Sequence, residues 1–218
     1  CLPLSVSETH SQANLRKSHD EVLEEIRKIS EYIEQLEKSQ RPEFEGNLST
    51  AFGCTLEGKV SEDLVLKLGA RMMELGCDEI GLSDTTGYAN PNQIKRLIRL
   101  LNKEVGQENL KSMHLHNTRG LGLANALASL EEGITTLDSS LGGIGGCPFA
   151  PGASGNIVTE DLVFMLDAMG VETGIDINKL LEVTNKVQSF IPDESIYGFT
   201  KDSGLPIGYE KGWGIVRS

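Results

Sequence analysis

Apolar residues along the chain follow two alternating patterns, one with the period of a strand and one with the period of a helix. The segments that predict strands are residues 2–7, 46–53, 78–83, 110–116 and 134–139. The segments that predict helices are residues 22–36, 64–75, 91–101, 121–130, 159–169 and 177–190. Strict alternation of the two kinds of segment predicts a parallel sheet with helices outside it.

The predicted fold class is therefore α/β, and a (β/α)8 barrel (TIM barrel) is the architecture that the alternation favours. Such a barrel takes eight strand–helix units and about 250 residues, whereas this chain has 218 residues. We expect an incomplete barrel that holds about units four to eight. An open doubly wound sheet is the alternative. It is disfavoured because no G-x-G-x-x-G motif follows the first predicted strand.

The partial barrel is expected to occupy residues 1–192 as a catalytic domain. The Gly-rich segment 193–218 has no hydrophobic period and is expected to be irregular. The sequence opens at Cys1 and enters the first predicted strand almost at once. We interpret this as the absence of the first barrel units. We expect the isolated chain to be nearly inactive and prone to aggregate, because an incomplete sheet exposes unpaired strand edges.

Charge and cysteine usage exclude some classes of partner. The net charge of −12 argues against nucleic acid, which requires a basic surface. No apolar run approaches the length of a membrane-spanning helix, so we expect no membrane partner. Cys1, Cys54, Cys77 and Cys147 form no C-x-x-C pair, which is typical of a reducing setting, either cytoplasmic or in an organellar matrix. The sequence does not fix the oligomeric state, and a homodimer is compatible with it.

The segment His114-Leu115-His116 gives the first candidates for chemistry. Side chains two apart on a strand project to the same face, and this pair ends its strand, where barrel strands present catalytic groups. Two imidazoles on one face can bind one metal ion in adjacent positions. The alternative is a pair of barrel-lining histidines whose nitrogens are satisfied by hydrogen bonds. We predict metal ligation by His114 and His116.

A glycine-rich run from Gly142 to Asn156 carries the second set of candidates. Cys147 follows a cluster of glycines and precedes a proline, so its loop is deformable. We predict that Cys147 transfers a proton in catalysis, and the alternative is burial as a small hydrophobic residue. Asn156 precedes a predicted helix. Either its amide oxygen binds the metal ion or it caps the helix.

These residues closely resemble a known family. The run GGCPFAPGASGN at residues 145–156, followed by TED at 159–161, resembles the signature of 3-hydroxy-3-methylglutaryl-CoA lyases, and the similarity runs from about residue 4 to about residue 187. The resemblance implies a divalent-metal barrel that cleaves an acyl-CoA substrate by a retro-Claisen reaction. The products would be acetyl-CoA and a 3-keto acid, acetoacetate for the methyl substrate. The resemblance also implies Mg²⁺ or Mn²⁺, Asn156 as a metal ligand, and Asp84 as an acidic catalytic residue close to the ion. Because Asp84 ends a predicted strand, the alternative is that it forms a turn.

The match to these lyases is incomplete. They have Asp where this chain has Asn117 and a different residue at Arg119, and the Arg-Asp-Gly motif of their first strand is absent from the chain. We expect Asn117 to orient a histidine, and Arg119 to pair with a substrate carboxylate or to cover a helix start. Glu8 follows the first predicted strand, with Ser7 and His10, and is a further substrate-binding candidate.

Two other functions stay open. The related 2-isopropylmalate, homocitrate and citramalate synthases carry a His-x-His at the same strand and run the Claisen reaction in the bond-forming direction, but they lack the cysteine loop. An inactive truncated fragment that only binds metal is the second alternative. A eukaryotic source would make the mitochondrial matrix the expected organelle.

Overall fold

The computed structural model describes residues 1–146 and 155–212 of the chain. It contains a five-stranded sheet in which all neighbouring strands are parallel. The strands are β1 (Leu2–Ser5), β2 (Glu45–Ser49), β3 (Glu79–Asp84), β4 (Leu110–Leu115) and β5 (Thr136–Asp138). Their order in the sheet is their order in the chain, as in a barrel, whereas a doubly wound sheet reverses its order at a switch point. The predicted incomplete (β/α)8 barrel is confirmed, and the doubly wound alternative is wrong.

The helices of the described chain include one near every segment that the apolar period predicts. They are α1 (Glu8–Leu15), α2 (His19–Glu34), α3 (Glu62–Glu74), α4 (Pro91–Val105), α5 (Gly122–Glu131), α6 (Thr159–Ala168), α7 (Ile177–Phe190) and α8 (Phe199–Ser203). None of the described helices is both long enough and apolar enough to cross a membrane.

Two short helices, α1 and α8, are not predicted by the apolar period. The side chain of Ser7 accepts the N–H of His10 (3.1 Å) and so caps the start of α1. The carboxylate of Asp161 accepts the N–H groups of Phe199 (3.1 Å) and Thr200 (2.7 Å) at the start of α8. The expectation that residues 193–218 are irregular is therefore wrong at α8. In both helices a side-chain acceptor pairs with backbone N–H groups of the first turn. This hydrogen bonding, rather than an apolar face, defines where the helix begins.

The described chain divides into two compact units. The first unit is Cys1–Asp138 and contains the whole sheet. The second consists of residues 139–146 and 155–212 and contains α6, α7 and α8. The domain boundary predicted after residue 192 stays a prediction.

Strand β2 ends earlier than the sequence predicts. The prediction extends to Gly53, but the strand stops at Ser49 because Thr50 adopts a left-handed backbone with a φ of 55°. The N–H of Gly53 donates to the carbonyl of Thr50 (3.2 Å) and closes a turn. The buried Thr50 hydroxyl accepts the N–H of Ser7 (3.1 Å) and lies 2.9 Å from the Ser5 hydroxyl. These contacts hold a β-branched residue in a conformation that it rarely adopts.

One face of the sheet is apolar and lies under helices. Its fully buried side chains are Leu4, Leu48, Ile80, Leu82, Met113 and Leu115. Gly46 belongs to the same face, and a side chain added there would come within 2.6 Å of Met72 on α3. Removing each large apolar side chain from water contributes about 1.5–3 kcal/mol. This face is therefore the main hydrophobic core of the first unit.

The opposite face of the sheet is polar, and its groups bond to one another across strands. Glu45 Oε1 accepts hydrogen bonds from Asn47 Nδ2 (3.2 Å) and from the hydroxyl of Ser112 (2.6 Å). The hydroxyl of Ser83 donates to Asn47 Oδ1. Buried polar groups are stable only when paired, so this network makes a polar sheet face compatible with folding.

Gly81 lies in the middle of the polar network and leaves room for it. A methyl group at Gly81 would lie 2.1 Å from Glu45 Oε1, 2.2 Å from the Ser112 hydroxyl and 2.6 Å from Asn47 Nδ2. The backbone of Gly81 lies outside the left-handed region. The requirement for glycine is therefore one of space.

We predict that Gly81→Ala lowers the free energy of unfolding by roughly 1–3 kcal/mol, the usual cost of overpacking. Urea unfolding followed by circular dichroism measures the change. Gly69→Ala on α3 is the matched control, because the added methyl group would approach closely only a flexible methyl of Leu101 (2.9 Å), with Leu48 and Val105 at 3.4 and 3.9 Å. A Gly81→Ala variant as stable as the Gly69→Ala variant would contradict the packing account.

Candidate functional site

His114 and His116 lie together at the carboxyl end of β4. Their Nε2 atoms are 3.2 Å apart, and their rings meet edge to face, with an angle of 71° between the planes. Leu115, between them, is fully buried on the apolar face. The strand period predicted that the two imidazoles share one face, and this geometry confirms it.

His116 is held in its neutral form. Burial, assisted by the neighbouring His114, lowers the pKa of His116 to about 4. At neutral pH its ring therefore carries one lone pair that is available to a ligand. Its Nδ1 is buried and has no hydrogen-bond partner among the described residues. The alternative, that hydrogen bonds satisfy both histidines, does not hold for this nitrogen.

The spacing of the two Nε2 atoms fits a shared metal ion. Imidazole nitrogens bind such ions at about 2.1 Å, so two of them in adjacent positions at a right angle lie roughly 3 Å apart. The observed separation is 3.2 Å. Within residues 1–146 and 155–212, no group of three or more His, Cys, Asp or Glu side chains is arranged to hold a metal ion. The two nitrogens are thus part of a donor set, and hard divalent cations require oxygen donors in addition.

Asp138 contacts His114 from the neighbouring strand. The two residues are direct partners in the parallel pairing of β4 with β5, and Asp138 Oδ2 lies 3.3 Å from His114 Nδ1. The sequence reasoning missed Asp138. The one feature of the sequence that could have indicated Asp138 is its position near the end of the predicted strand that follows the histidines.

Asp84 is buried at the end of β3, but its strand position places it with Leu82 on the apolar face, next to Leu115. Its two carboxylate oxygens accept the backbone N–H groups of Tyr88 (2.8 Å) and Ala89 (3.1 Å). Asp84 therefore holds the loop between β3 and α4. Burial raises the pKa of Asp84 to about 6, against the lowering effect of these hydrogen bonds. Its predicted catalytic role stays a prediction.

The raised pKa of Asp84 predicts a pH-dependent stability in the metal-free protein. The pKa is raised from 3.8 to about 6. The stability linked to this carboxyl group is therefore fully present below about pH 4 and is lost as the pH rises through about 6. The parental protein should lose up to roughly 3 kcal/mol between pH 4 and pH 7.5 relative to Asp84→Asn.

Urea unfolding at several pH values measures this difference. Asp63→Asn, at the exposed start of α3, is the control and should give a much smaller difference. A pH-independent offset between the parental protein and Asp84→Asn would show that the carboxyl group of Asp84 ionises normally.

Arg119 is engaged with the neighbouring loop. Its Nη1 donates to the carbonyls of Thr86 (3.1 Å) and Gly87 (3.2 Å), and its guanidinium lies 4.5 Å from the centre of the Tyr88 ring. This cation–π contact and the two hydrogen bonds join the loop after β3 to the loop after β4. A substrate carboxylate as the partner of Arg119 stays a prediction.

Asn117 and Glu8 have local contacts. Asn117 Oδ1 accepts the N–H of Gly122 (3.0 Å) at the start of α5, and the expectation that Asn117 orients a histidine stays a prediction. Glu8 is in the first turn of α1, and its Oε2 lies 3.9 Å from His19 Nδ1. The role of Glu8 in substrate binding stays a prediction.

The two ends of the glycine-rich run are fixed within the second unit. Ser140 pairs with Val158 in a parallel bridge, and the N–H of Thr159 donates to the carbonyl of Ser140 (2.9 Å). The fully buried carboxylate of Glu160 accepts the N–H of Gly142 through both oxygens (3.2 and 3.1 Å). The hydroxyl of Thr184 also donates to Glu160. Glu160 thus fixes the start of the run.

Asn156 does not cap α6, because the N-cap residue is Val158 and has no capping side chain. Its Nδ2 donates to the carbonyl of Ile144 (3.0 Å). Its Oδ1 is buried and has no hydrogen-bond partner among the described residues. This oxygen is therefore available to bind a ligand. Cys147, the predicted proton donor, lies outside the described residues. Asn156 as a metal ligand and Cys147 as a proton donor both stay predictions.

Cys54 and Cys77 are both buried in the first unit. Cys54 is fully buried, and its Sγ accepts the N–H of Leu56 (3.3 Å). Cys77 is buried in the core, and burial raises the pKa of its thiol to about 12. Cys77 is therefore an unreactive thiol at neutral pH.

The fold and the histidine pair define an incomplete (β/α)8 barrel with a candidate metal site at the carboxyl ends of its strands. The chain belongs to the HMGL-like family, whose model matches residues 2–187. The resemblance of the cysteine loop predicted this family, and the match confirms it.

Individual relatives agree with the family. The chain is 38% identical over 188 residues to hydroxymethylglutaryl-CoA lyase YngG of Bacillus subtilis, covering 86% of this chain and 61% of YngG. It is 39% identical over 181 residues to the human mitochondrial hydroxymethylglutaryl-CoA lyase, covering 83% of this chain and 54% of the human protein. The solved structure of an HMG-CoA lyase from Acinetobacter baumannii, in complex with coenzyme A and 3-methylmalate, has a TM-score of 0.86 at 39% identity and covers 95% of this chain and 66% of that one. The chain thus spans between about half and two thirds of the length of these relatives.

Proposed function

We propose that the protein is a divalent-metal-dependent lyase. It cleaves 3-hydroxy-3-methylglutaryl-CoA, or a close 3-hydroxy-3-alkylglutaryl-CoA, to acetyl-CoA and a 3-keto acid such as acetoacetate. Membership of the HMGL-like family and the named relatives support the reaction. The observation that carries the metal dependence is the convergence of the His114 and His116 Nε2 atoms to 3.2 Å.

The chain's own residues suit a hard divalent ion, Mg²⁺ or Mn²⁺. His114 and His116 would hold it through Nε2, and Asn156 is the proposed source of an amide oxygen. When bound, the ion supplies Lewis-acid polarisation of the substrate's hydroxyl and carbonyl oxygens. The neutral state of His116, enforced by burial, leaves one of its two ring nitrogens without a proton at neutral pH.

The reaction needs two proton transfers. A base takes the proton of the tertiary hydroxyl, whose oxygen becomes the ketone of the 3-keto acid as the C–C bond breaks. The electron pair of that bond passes to the carbon that becomes the methyl group of acetyl-CoA, and this carbon takes up a proton. We propose Cys147 as the donor of this second proton. A deformable glycine loop would let its thiol approach the carbon.

We predict that Mn²⁺ binding depends on the histidine pair. The double variant His114→Ala/His116→Ala should bind Mn²⁺ at least about tenfold more weakly than the parental protein, because the nitrogen donors are lost. Titration followed by electron paramagnetic resonance measures free Mn²⁺ directly. His19→Ala is the control, since His19 lies at the start of α2 and its Nε2 contacts the carbonyl of Ser5 (2.9 Å). Equal Mn²⁺ affinity in the double variant and the parental protein would show that His114 and His116 do not bind the ion.

We predict that the enzyme with a complete barrel cleaves 3-hydroxy-3-methylglutaryl-CoA in the presence of Mn²⁺, and that Cys147→Ala in this enzyme lowers kcat about 10²- to 10⁴-fold, the usual contribution of a positioned acid or base. KM should change little because the loss is confined to the transition state. Detection of acetoacetate measures the rate. Cys77→Ala, which removes a buried thiol of the core, is the control and should keep most of the activity.

The outcomes separate the proposed roles. Absence of cleavage, with formation of product from acetyl-CoA and a 2-keto acid instead, would favour a condensing synthase over a lyase. Cleavage by Cys147→Ala at the parental rate would leave the lyase reaction intact and remove Cys147 as its proton donor.

A further inference from the structure

Asp138 stands beside His114 through the architecture of the sheet. β4 and β5 pair in register, with His114 opposite Asp138, so the two side chains project from neighbouring strands to the same face. The side chain of Asp138 is 56% exposed, and that of His114 is 31% exposed. A carboxylate with this freedom approaches His114 Nδ1 to 3.3 Å.

The contact bears on which nitrogen of His114 carries its proton. A carboxylate next to Nδ1 favours a proton on Nδ1, because the N–H can then donate to it. The lone pair of the neutral ring is then on Nε2. Nε2 is the atom that lies 3.2 Å from His116 Nε2.

The two histidines differ in what fixes them. His116 is almost fully buried, and its Nδ1 has no hydrogen-bond partner among the described residues, so its orientation is set by packing and by the contact of its Nε2 with His114. His114 is only partly buried, and within residues 1–146 and 155–212 Asp138 is the only carboxylate that forms an ion-pair contact with it. His114 is therefore the histidine that needs a polar partner to hold its ring.

We propose that Asp138 is a positioning residue that fixes the tautomer and the ring orientation of His114 for metal binding. The inference rests on the proposed function, because it assumes that His114 Nε2 binds a divalent ion. Histidine ligands commonly donate their second N–H to a carboxylate, and loss of that partner costs about 10- to 100-fold in metal affinity. Asp138 thereby becomes part of the site without binding the ion.

The first test measures Mn²⁺ affinity by electron paramagnetic resonance in the purified protein. Asp138→Ala should bind Mn²⁺ about 10- to 100-fold more weakly, and Asp138→Asn, which keeps an oxygen acceptor but loses the charge, should show a smaller loss. Asp63→Ala removes one carboxylate from the exposed start of α3 and should bind like the parental protein. Parental affinity in Asp138→Ala would overturn the proposal.

The second test reads the tautomer of His114 in the metal-free protein, by long-range proton–nitrogen correlation NMR of the histidine rings at pH 8. The parental protein should show His114 protonated on Nδ1, and Asp138→Ala should show a mixture of tautomers with an unchanged melting temperature. Weaker Mn²⁺ binding with an unchanged tautomer would overturn the positioning role and leave Asp138 as a support of β5. If the parental protein binds no Mn²⁺, the proposed metal dependence fails, while the tautomer measurement still decides the role of Asp138.

Discussion

The alternation of side chains along the parallel strands is the constraint on which the rest of the first unit depends. It separates an apolar face, with Leu48 and Leu82 fully buried, from a face that carries Glu45 and Asn47. The apolar face packs under helices and supplies most of the stabilisation. The polar face is tolerated because its groups bond across strands, and Gly81 leaves the space that this network requires.

The polar face changes character toward the carboxyl end of β4. Near the middle of the sheet, Ser112 donates to Glu45 (2.6 Å) and both groups are paired. At the end of the strand, His116 Nδ1 is buried and has no hydrogen-bond partner within residues 1–146 and 155–212, and in the second unit the same holds for Asn156 Oδ1. Native proteins rarely leave such groups unpaired. Among the described residues, Asn102, Thr118 and Asn125 also carry such an atom, so it is the unpaired Oδ1 of Asn156, the atom proposed to bind the ion, that supports the proposed function.

Acidic residues fix positions that the backbone alone would leave free. Asp161 binds the start of α8, Glu160 binds the N–H of Gly142, and Asp84 binds the loop after β3. A carboxylate oxygen is a strong acceptor for backbone N–H groups that have no partner in regular structure. Two residues of the Thr-Glu-Asp triplet at the start of α6 therefore have structural roles. Glu160 holds the start of the glycine-rich run at Gly142, and Asp161 holds the start of α8.

The sequence by itself determined the alternation of strands and helices, the shared face of His114 and His116, and the family, because these follow from local periods and from a contiguous motif. Only the tertiary structure decided that Asp138 stands at His114 and that Asp84 faces away from the histidines. Those facts depend on the register between strands, including the shift between Ile80 and Gly81. A period describes which face a residue takes along its own strand, but the neighbour across the sheet is set by how separate strands pair.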